Sequence, residues 1–121
     1  MSGSNEFSWN ALPGVLLSQQ LGASESALYT VAAGQRVEIA QGSLCNTTAS
    51  AVTVYLSLVK AGGTVGDGTH RVISGYSLAA NDTLSLKDYI GAAELGPGDI
   101  IAAYCSAGSA VDIVVTGTVY A

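Results

Sequence analysis

Charge is scarce in this chain of 121 residues: four Lys and Arg stand against nine Asp and Glu, for a formal net charge of −5. Charged residues make up 11% of the sequence, about half the share that is usual in soluble domains. Phosphate binding requires clustered positive charge, so nucleic acid is not an expected partner. The 49% of hydrophobic residues argues against intrinsic disorder. These residues occur in short runs, well below the roughly 20 that a membrane-spanning helix requires.

The residues that usually carry catalysis are equally few. The single histidine, His70, is interpreted as an exposed residue at the start of a strand, with a general-base role as the alternative. No Cys and His cluster has the spacing of a metal site, and no G-x-S-x-G motif positions a nucleophilic serine. Turn capping or solvation explains the aspartates, which are Asp67, Asp82, Asp88, Asp99 and Asp112. We therefore expect no catalysis and no metal or cofactor.

A glycine-rich segment over residues 62–69 reads GGTVGDGT. A phosphate-binding loop requires a Lys followed by Ser or Thr and then a helix, whereas this segment leads into a predicted strand. It does not match a calcium-binding loop either. The segment predicts a long loop between two strands, whose tip can serve as a contact surface.

Two cysteines, Cys45 and Cys105, lie near the ends of two predicted strands. The N-terminus lacks the basic region and apolar block of a secretory signal, so we expect synthesis in a reducing cytoplasm, where disulfides are rare. The favoured interpretation is a pair of buried free thiols, while a bridge formed later outside the cell stays open. For the same reason the glycosylation sequons at Asn46 and Asn81 are interpreted as turns.

The first 27 residues have no alternating pattern and contain several residues that interrupt regular structure. They hold the only Phe and the only Trp, Phe7 and Trp9, followed by an apolar patch at Val15, Leu16 and Leu17. We interpret residues 1–27 as an extended arm that anchors the protein to neighbouring subunits. A short helix over residues 16–20 is an alternative, although so few residues do not hold a helix unaided.

From Leu28 to the C-terminus, short strands alternate with turns. Val52, Val54, Leu56 and Leu58 alternate with polar residues, and residues 111–119 repeat this pattern. Further strands are predicted over residues 28–31, 36–39, 72–78, 83–86 and 99–105, with a bulge at Gly42 and a helical turn or loop over residues 87–95. We predict an all-β fold for residues 28–121, a single antiparallel β-sandwich of about seven or eight strands with a jelly-roll or immunoglobulin-like Greek-key topology.

Tyrosines supply most of the aromatic residues of the chain. Tyr55 and Tyr120 lie on the polar faces of their strands, opposite the aliphatic residues. Such residues stack on sugar rings or bury against a neighbouring subunit, and single exposed tyrosines are also common on sheets. All three alternatives stay open, and stacking on a sugar is the least favoured of them.

Four segments carry a resemblance to a known class of protein: LYTV at residues 28–31, LCNTTASAVTV at 44–54, RVISGYSLAANDTL at 71–84 and GDIIA at 98–102. In this order they resemble the small β-sandwich modules of tailed-bacteriophage virion proteins, which occur in head-decoration and minor tail proteins. The resemblance covers about residues 27–121 and departs at Ala33, where many members have Pro. It implies a structural protein without catalytic residues.

The resemblance and the low charge together favour a non-enzymatic virion component, with capsid decoration as the first expectation. A minor tail protein and a carbohydrate-binding module for host adhesion are the alternatives. We expect a homotrimer or other homo-oligomer on virion proteins such as the major capsid protein, because a domain with few charges suits permanent burial. Deletion of residues 1–20 is expected to leave a folded sandwich that no longer incorporates into particles. The expected interface residues are Phe7, Trp9, Val15, Leu16, Leu17, Tyr55 and Tyr120.

Overall fold

The computed structural model describes residues 10–121, in which nine strands and one helical turn follow one another. The elements are β1 (Ala11–Gln20), β2 (Ser26–Thr30), β3 (Arg36–Asn46), β4 (Val52–Val59), β5 (Arg71–Leu78), β6 (Thr83–Ser85), α1 (Lys87–Ile90), β7 (Glu94–Leu95), β8 (Ile100–Cys105) and β9 (Val111–Tyr120). Phe7 and Trp9, two of the expected interface residues, lie outside the described residues.

The strands form two antiparallel sheets that pack face to face. Sheet A has the strand order β1-β9-β3-β6, with β7 also paired to β3, and sheet B has the order β2-β8-β4-β5. Alternation places one face of each strand in the space between the sheets and the other on the outside. The predicted all-β sandwich is confirmed.

The order of the strands is that of a long hairpin rolled onto itself. If the two-residue β7 is set aside, the first strand pairs with the last, the second with the last but one, the third with the sixth and the fourth with the fifth. Eight strands arranged in this way form a jelly roll, one of the two topologies expected from the sequence. The N-terminal and C-terminal strands are therefore neighbours in sheet A.

The hydrophobic core lies between the sheets and is built from the alternating aliphatic residues. Val54 and Leu56 of β4 and Ile113 and Val115 of β9 have no exposed surface, as their period-2 pattern predicts. Leu86, which precedes the helical turn α1, and Ile90, which is its last residue, close one end of this core. The helical turn or loop predicted over residues 87–95 therefore contributes to the core.

Strand β1 corrects the interpretation of residues 1–27 as an arm. Residues 11–20 pair with β9 along its whole length, and no helix forms over residues 16–20. Leu17 is 5% exposed and Leu21 1% exposed, and both belong to the core. Deletion of residues 1–20 would remove an edge strand and part of the core, so we now expect the deletion to destabilise the sandwich rather than leave it intact.

Pro13 fits into β1 because of its register. Asn10 and Ala121 exchange two backbone hydrogen bonds, of 3.0 and 3.1 Å. Hydrogen-bonded and non-bonded pairs alternate along an antiparallel ladder, so Pro13, opposite Thr118, occupies a non-bonded position. The nitrogen of Pro13, which has no hydrogen to donate, faces the free edge of the sheet, where proline is tolerated.

Two bulges displace the register from that predicted by simple alternation. In β1 the shift lies between Val15 and Leu17, which allows Leu16 and Leu17 both to pack on the core. In β3 the shift lies between Ile39 and Gln41, and not at Gly42 as predicted. Gly42 instead accommodates Leu86, because a Cβ there would lie 3.1 Å from Leu86 Cδ1.

Candidate functional site

The described residues do not bring the candidate catalytic groups together. His70 is half-buried beside β5 and its carbonyl oxygen accepts the N–H of Leu58 at 3.1 Å. Among residues 10–121 there is no group of three or more His, Cys, Asp or Glu side chains that could hold a metal ion. No helix within this part of the chain is long and apolar enough to cross a membrane.

Three of the aspartates stabilise loops by accepting hydrogen bonds. The carboxylate of Asp67 accepts hydrogen bonds from the N–H and the hydroxyl of Thr69, at 3.0 and 2.6 Å. The hydrogen bond from the hydroxyl is the main cause of the lowered pKa of Asp67. Asp82 accepts the N–H of Thr83 at 2.9 Å. Asp99 accepts two N–H groups, from Ala61 and Gly96, each at 2.8 Å.

Burial of Asp99 disfavours its charged form, but the two N–H donors and nearby Lys60 outweigh burial and lower its pKa. Asp99 therefore joins the start of the loop over residues 60–70 to the turn before β8. The interpretation of these aspartates as turn residues is confirmed for Asp67, Asp82 and Asp99.

Asn46 is a buried structural residue. Its side chain has no exposed surface, and its amide donates to the carbonyl oxygens of Ser50, Leu78 and Ala79 at 2.8, 3.1 and 3.1 Å. Its carbonyl oxygen accepts the N–H and hydroxyl of Thr48. Every polar atom of this amide has a partner, as a buried polar side chain requires. The sequon at Asn46 serves the fold, since its side chain is inaccessible.

The two cysteines are free thiols on different layers of the sandwich. Cys105 is buried on the inner face of sheet B, and its Sγ lies 2.9 Å from the carbonyl oxygen of Ala107. Cys45 lies between the buried residues Leu44 and Asn46, so alternation directs it to the outer face of sheet A. The structure has no bond between the two thiols, and Cys45 is half-buried where both were expected to be buried.

An ion pair crosses the outer face of sheet B, which we call the covered face. Glu25 lies immediately before edge strand β2 and Arg71 begins the opposite edge strand β5. Arg71 Nη2 lies 2.8 Å from Glu25 Oε1, with side chains only 16% and 6% exposed. The row beneath consists of Ser57 and Ala102, which are 1% and 0% exposed although they lie on the outer face. Their small side chains leave room for Arg71 to reach across the sheet.

Arg71 also packs on a pair of aromatic rings. Tyr55 and Tyr104 are cross-strand partners whose rings stack with centroids 4.3 Å apart and planes 4° from parallel. The guanidinium carbon of Arg71 lies 5.0 Å from the Tyr55 centroid and 5.4 Å from that of Tyr104, within the range of cation–π attraction. One face of each ring packs against the other ring. Tyr55 therefore makes its aromatic contact within its own chain.

The glycine-rich loop completes the covered face. Residues 60–70 connect β4 to β5, as predicted, and the N–H of Gly66 donates to Glu25 Oε2 at 2.9 Å. Val59, an outward residue at the end of β4, is only 1% exposed. Both oxygens of Glu25 therefore have partners, one in Arg71 and one in the loop.

The outer face of sheet A, which we call the bare face, is organised differently. Cross-strand partners share a face, so the register defines five rows of outward side chains across β1, β9 and β3. In order, the rows are Ala11, Tyr120 and Arg36; Pro13, Thr118 and Glu38; Val15, Thr116 and Gln41; Ser18, Val114 and Ser43; and Gln20, Asp112 and Cys45. None of these residues is buried, and the third and fourth rows carry no charge.

A small cleft marks the charged end of the bare face. It has a volume of about 270 Å³ and is lined by Arg36, Val37, Glu38, Glu94 and Tyr120. Arg36 Nη2 lies 2.7 Å from Glu94 Oε1 with both side chains more than half exposed. Such a pair contributes little to stability, in contrast to the buried pair on the covered face.

The expected interface residues are thus divided among three environments. Val15, which is 63% exposed, and Tyr120 lie on the bare face. Leu16 and Leu17 pack on the protein's own core, which corrects the interpretation of the whole patch as an anchor. Tyr55 belongs to the ring stack of the covered face. The bare face itself has no motif in the sequence, because it depends on the order and register of β1, β9 and β3.

Comparison of the chain with protein-family models, with curated proteins and with solved structures gives no match.

Proposed function

We propose that this protein is a non-enzymatic structural component of a tailed-phage virion, a capsid decoration protein that packs as an oligomer. The resemblance of its four segments to such virion modules motivates the proposal. The jelly-roll topology supports it, because viral capsid domains are among the proteins that use this fold. Because one fold hosts many functions, the fold alone does not identify the function, and the proposal depends on the surface of the protein.

The bare face is the observation that carries the proposal. It presents three long strands whose outward side chains in the middle rows are all neutral and are either exposed or half-buried. Residues at the centre of an interface are depleted in charge, whereas a solvated surface of ordinary composition is not. A protein that is permanently embedded in an assembly requires such a surface.

The direct experiment is to count copies of this chain in purified particles of the virus whose genome encodes it, by quantitative mass spectrometry. Copy numbers comparable with the main shell protein are expected for a decoration protein. A few to a few dozen copies would place it in the tail or neck and overturn the decoration role. Absence from the particles would overturn the virion proposal altogether.

A carbohydrate-binding module is the second candidate. Jelly rolls also occur in lectins, and the half-exposed rings of Tyr55 and Tyr104 are the aromatic surface that a sugar would use. A glycan array probed with the purified chain tests this role. A ligand whose binding is lost in Tyr55→Ala would support it, and an array without binders would remove it.

A further inference from the structure

Among the described residues, the charges on the bare face lie only towards its two ends. Arg36 stands in the first row, Glu38 in the second with Glu94 of β7 beside it, and Asp112 in the fifth. Between them lie the neutral residues of the third and fourth rows, centred on Thr116 and Val114 of β9. The face is therefore neutral in the middle and polarised along its strands.

We propose that the bare face binds the bare face of a second copy of this chain, with the strands of the two copies antiparallel and a two-fold axis at the third row. The inference deepens the proposed function and rests on it, since it names the partner of the same surface. A two-fold interface uses one self-complementary patch on both subunits.

Charge selects the antiparallel arrangement. With the strands antiparallel, the two-fold axis crosses the strands, so each strand lies over its own copy and the first row of one copy lies over the fifth row of the other. Arg36 then lies over Cys45 with Asp112 of the adjacent strand diagonally opposite, and the symmetry makes this contact twice. The second rows, with Glu38 and Glu94, then lie over neutral fourth rows.

With the strands parallel, the two-fold axis runs along β9, so β3 of one copy lies over β1 of the other and β9 lies over β9. Asp112 then faces Asp112, and Arg36 lies over Ala11 without an opposite charge. Juxtaposed like charges are costly at an interface, so only the antiparallel pair is self-complementary.

The area of the face is that of a weak, reversible pair. Ten residues at about 3.3 Å each and three strands at about 4.8 Å give a flat area of about 470 Å² per copy. Two copies therefore bury about 940 Å², which is below the range of stable specific interfaces and within that of weak, transient ones. Side chains of the size of Val, Thr and Ser suit sheets that pack about 10 Å apart.

The free edge of β1 is a poorer route to association than the face. Pro13 presents no N–H to a strand added at this edge, and the bulge between Val15 and Leu17 displaces the remaining groups. Proline and bulges on edge strands oppose pairing with other chains. Association through sheet A is therefore expected to use its face.

Sedimentation of the full chain over a concentration series tests the proposal. The wild-type protein is expected to form a dimer of two 12.1 kDa chains. Thr116→Lys places two like charges at the axis and is expected to weaken dimerisation at least about 100-fold. Ser77→Lys, the same charge on an exposed residue of β5, is the matched control and is expected to leave it unchanged. Circular dichroism establishes that both variants are folded.

A charge exchange tests the orientation. Arg36→Asp is expected to weaken the dimer, and adding Asp112→Arg is expected to restore it, because the attraction between rows one and five is rebuilt in reverse. A wild-type monomer at all concentrations, a trimer, or a dimer unaffected by Thr116→Lys would overturn the inference. Failure of Asp112→Arg to rescue would overturn the antiparallel arrangement. The copy number in particles is independent of these results, so the proposed function can stand or fall separately.

Discussion

The two outer faces of the sandwich differ in how the protein uses its few charges. On the covered face, Glu25 and Arg71 form a largely buried ion pair that crosses sheet B over Ser57 and Ala102. On the bare face, Arg36 and Glu94 form an exposed pair at one end and the central rows carry no charge. Within residues 10–121, one face is covered by the protein's own chain, and no residue of the five rows on the other is buried.

This difference indicates that the two faces have separate roles. A buried ion pair is costly to form and costly to break, so it holds one arrangement of the loop over residues 60–70. A face with neutral central rows has no such internal partner and can bind another molecule without the removal of water from charges. The covered face stabilises the subunit, and in our proposal the bare face assembles it.

The largest effect is expected from Arg71→Met. This change leaves Glu25, whose side chain is 6% exposed, without its cation, and is expected to lower the free energy of unfolding by about 3–5 kcal/mol. Urea denaturation followed by circular dichroism measures the change.

Arg36→Met is the matched control on the bare face, where the ion pair is more than half exposed. Its expected cost, measured at a concentration at which the chain is monomeric, is about 0–1 kcal/mol. Equal costs for the two variants would contradict the contrast between the faces.

A smaller effect is expected within sheet A from Gly117→Ala. A Cβ at Gly117 would collide with the carbonyl oxygen of Glu38 and lie 3.0 Å from Leu16 Cδ1, so we expect a cost of about 2 kcal/mol. Gly14, directly opposite in β1, has no atom within 4 Å of its own Cβ position. Gly14→Ala should therefore be neutral or stabilising by about 0.5 kcal/mol. If both substitutions proved neutral in urea denaturation, the close packing of β9 against β3 would be refuted.

The smallest effect is expected from Asp99→Asn, which weakens the second attachment of the loop on the covered side. The folded-state pKa of Asp99 is lowered, so its carboxylate stabilises the protein above the unfolded pKa of about 4. We expect a cost of about 1 kcal/mol at pH 7, and the difference from wild type should shrink as pH falls below about 4. Urea midpoints at pH 7, 4 and 3 measure it. A difference that grows towards acid pH would contradict this assignment.

Much of the sandwich could be predicted because its strands alternate cleanly. Val52 to Leu58 and residues 111–119 have the period of half-buried strands, and both occupy the core as predicted. Strand β1 could not be recognised in this way, since Pro13, Gly14 and a bulge remove its alternation. Pro13 is tolerated only because β1 is an edge strand, which is a property of the tertiary arrangement.

The two faces were harder to predict, for a related reason. Glu25 and Arg71 are 46 residues apart in the sequence, and they meet only because β2 and β5 are the two edges of one sheet. The rows of the bare face likewise depend on the register of β1, β9 and β3. The interface expected at Val15, Leu16 and Leu17 was divided by the bulge, which turns Leu16 and Leu17 inward.

The measurement that tests the central claim most directly is hydroxyl-radical footprinting of this chain, as a dilute monomer and within purified particles, read by mass spectrometry. Val15 on the bare face and Tyr76 on edge strand β5 of sheet B are exposed reporters, at 63% and 41%. We predict that assembly protects Val15 strongly and leaves Tyr76 almost unchanged. Protection of Tyr76 with Val15 still reactive would contradict the assignment of the bare face as the assembly surface.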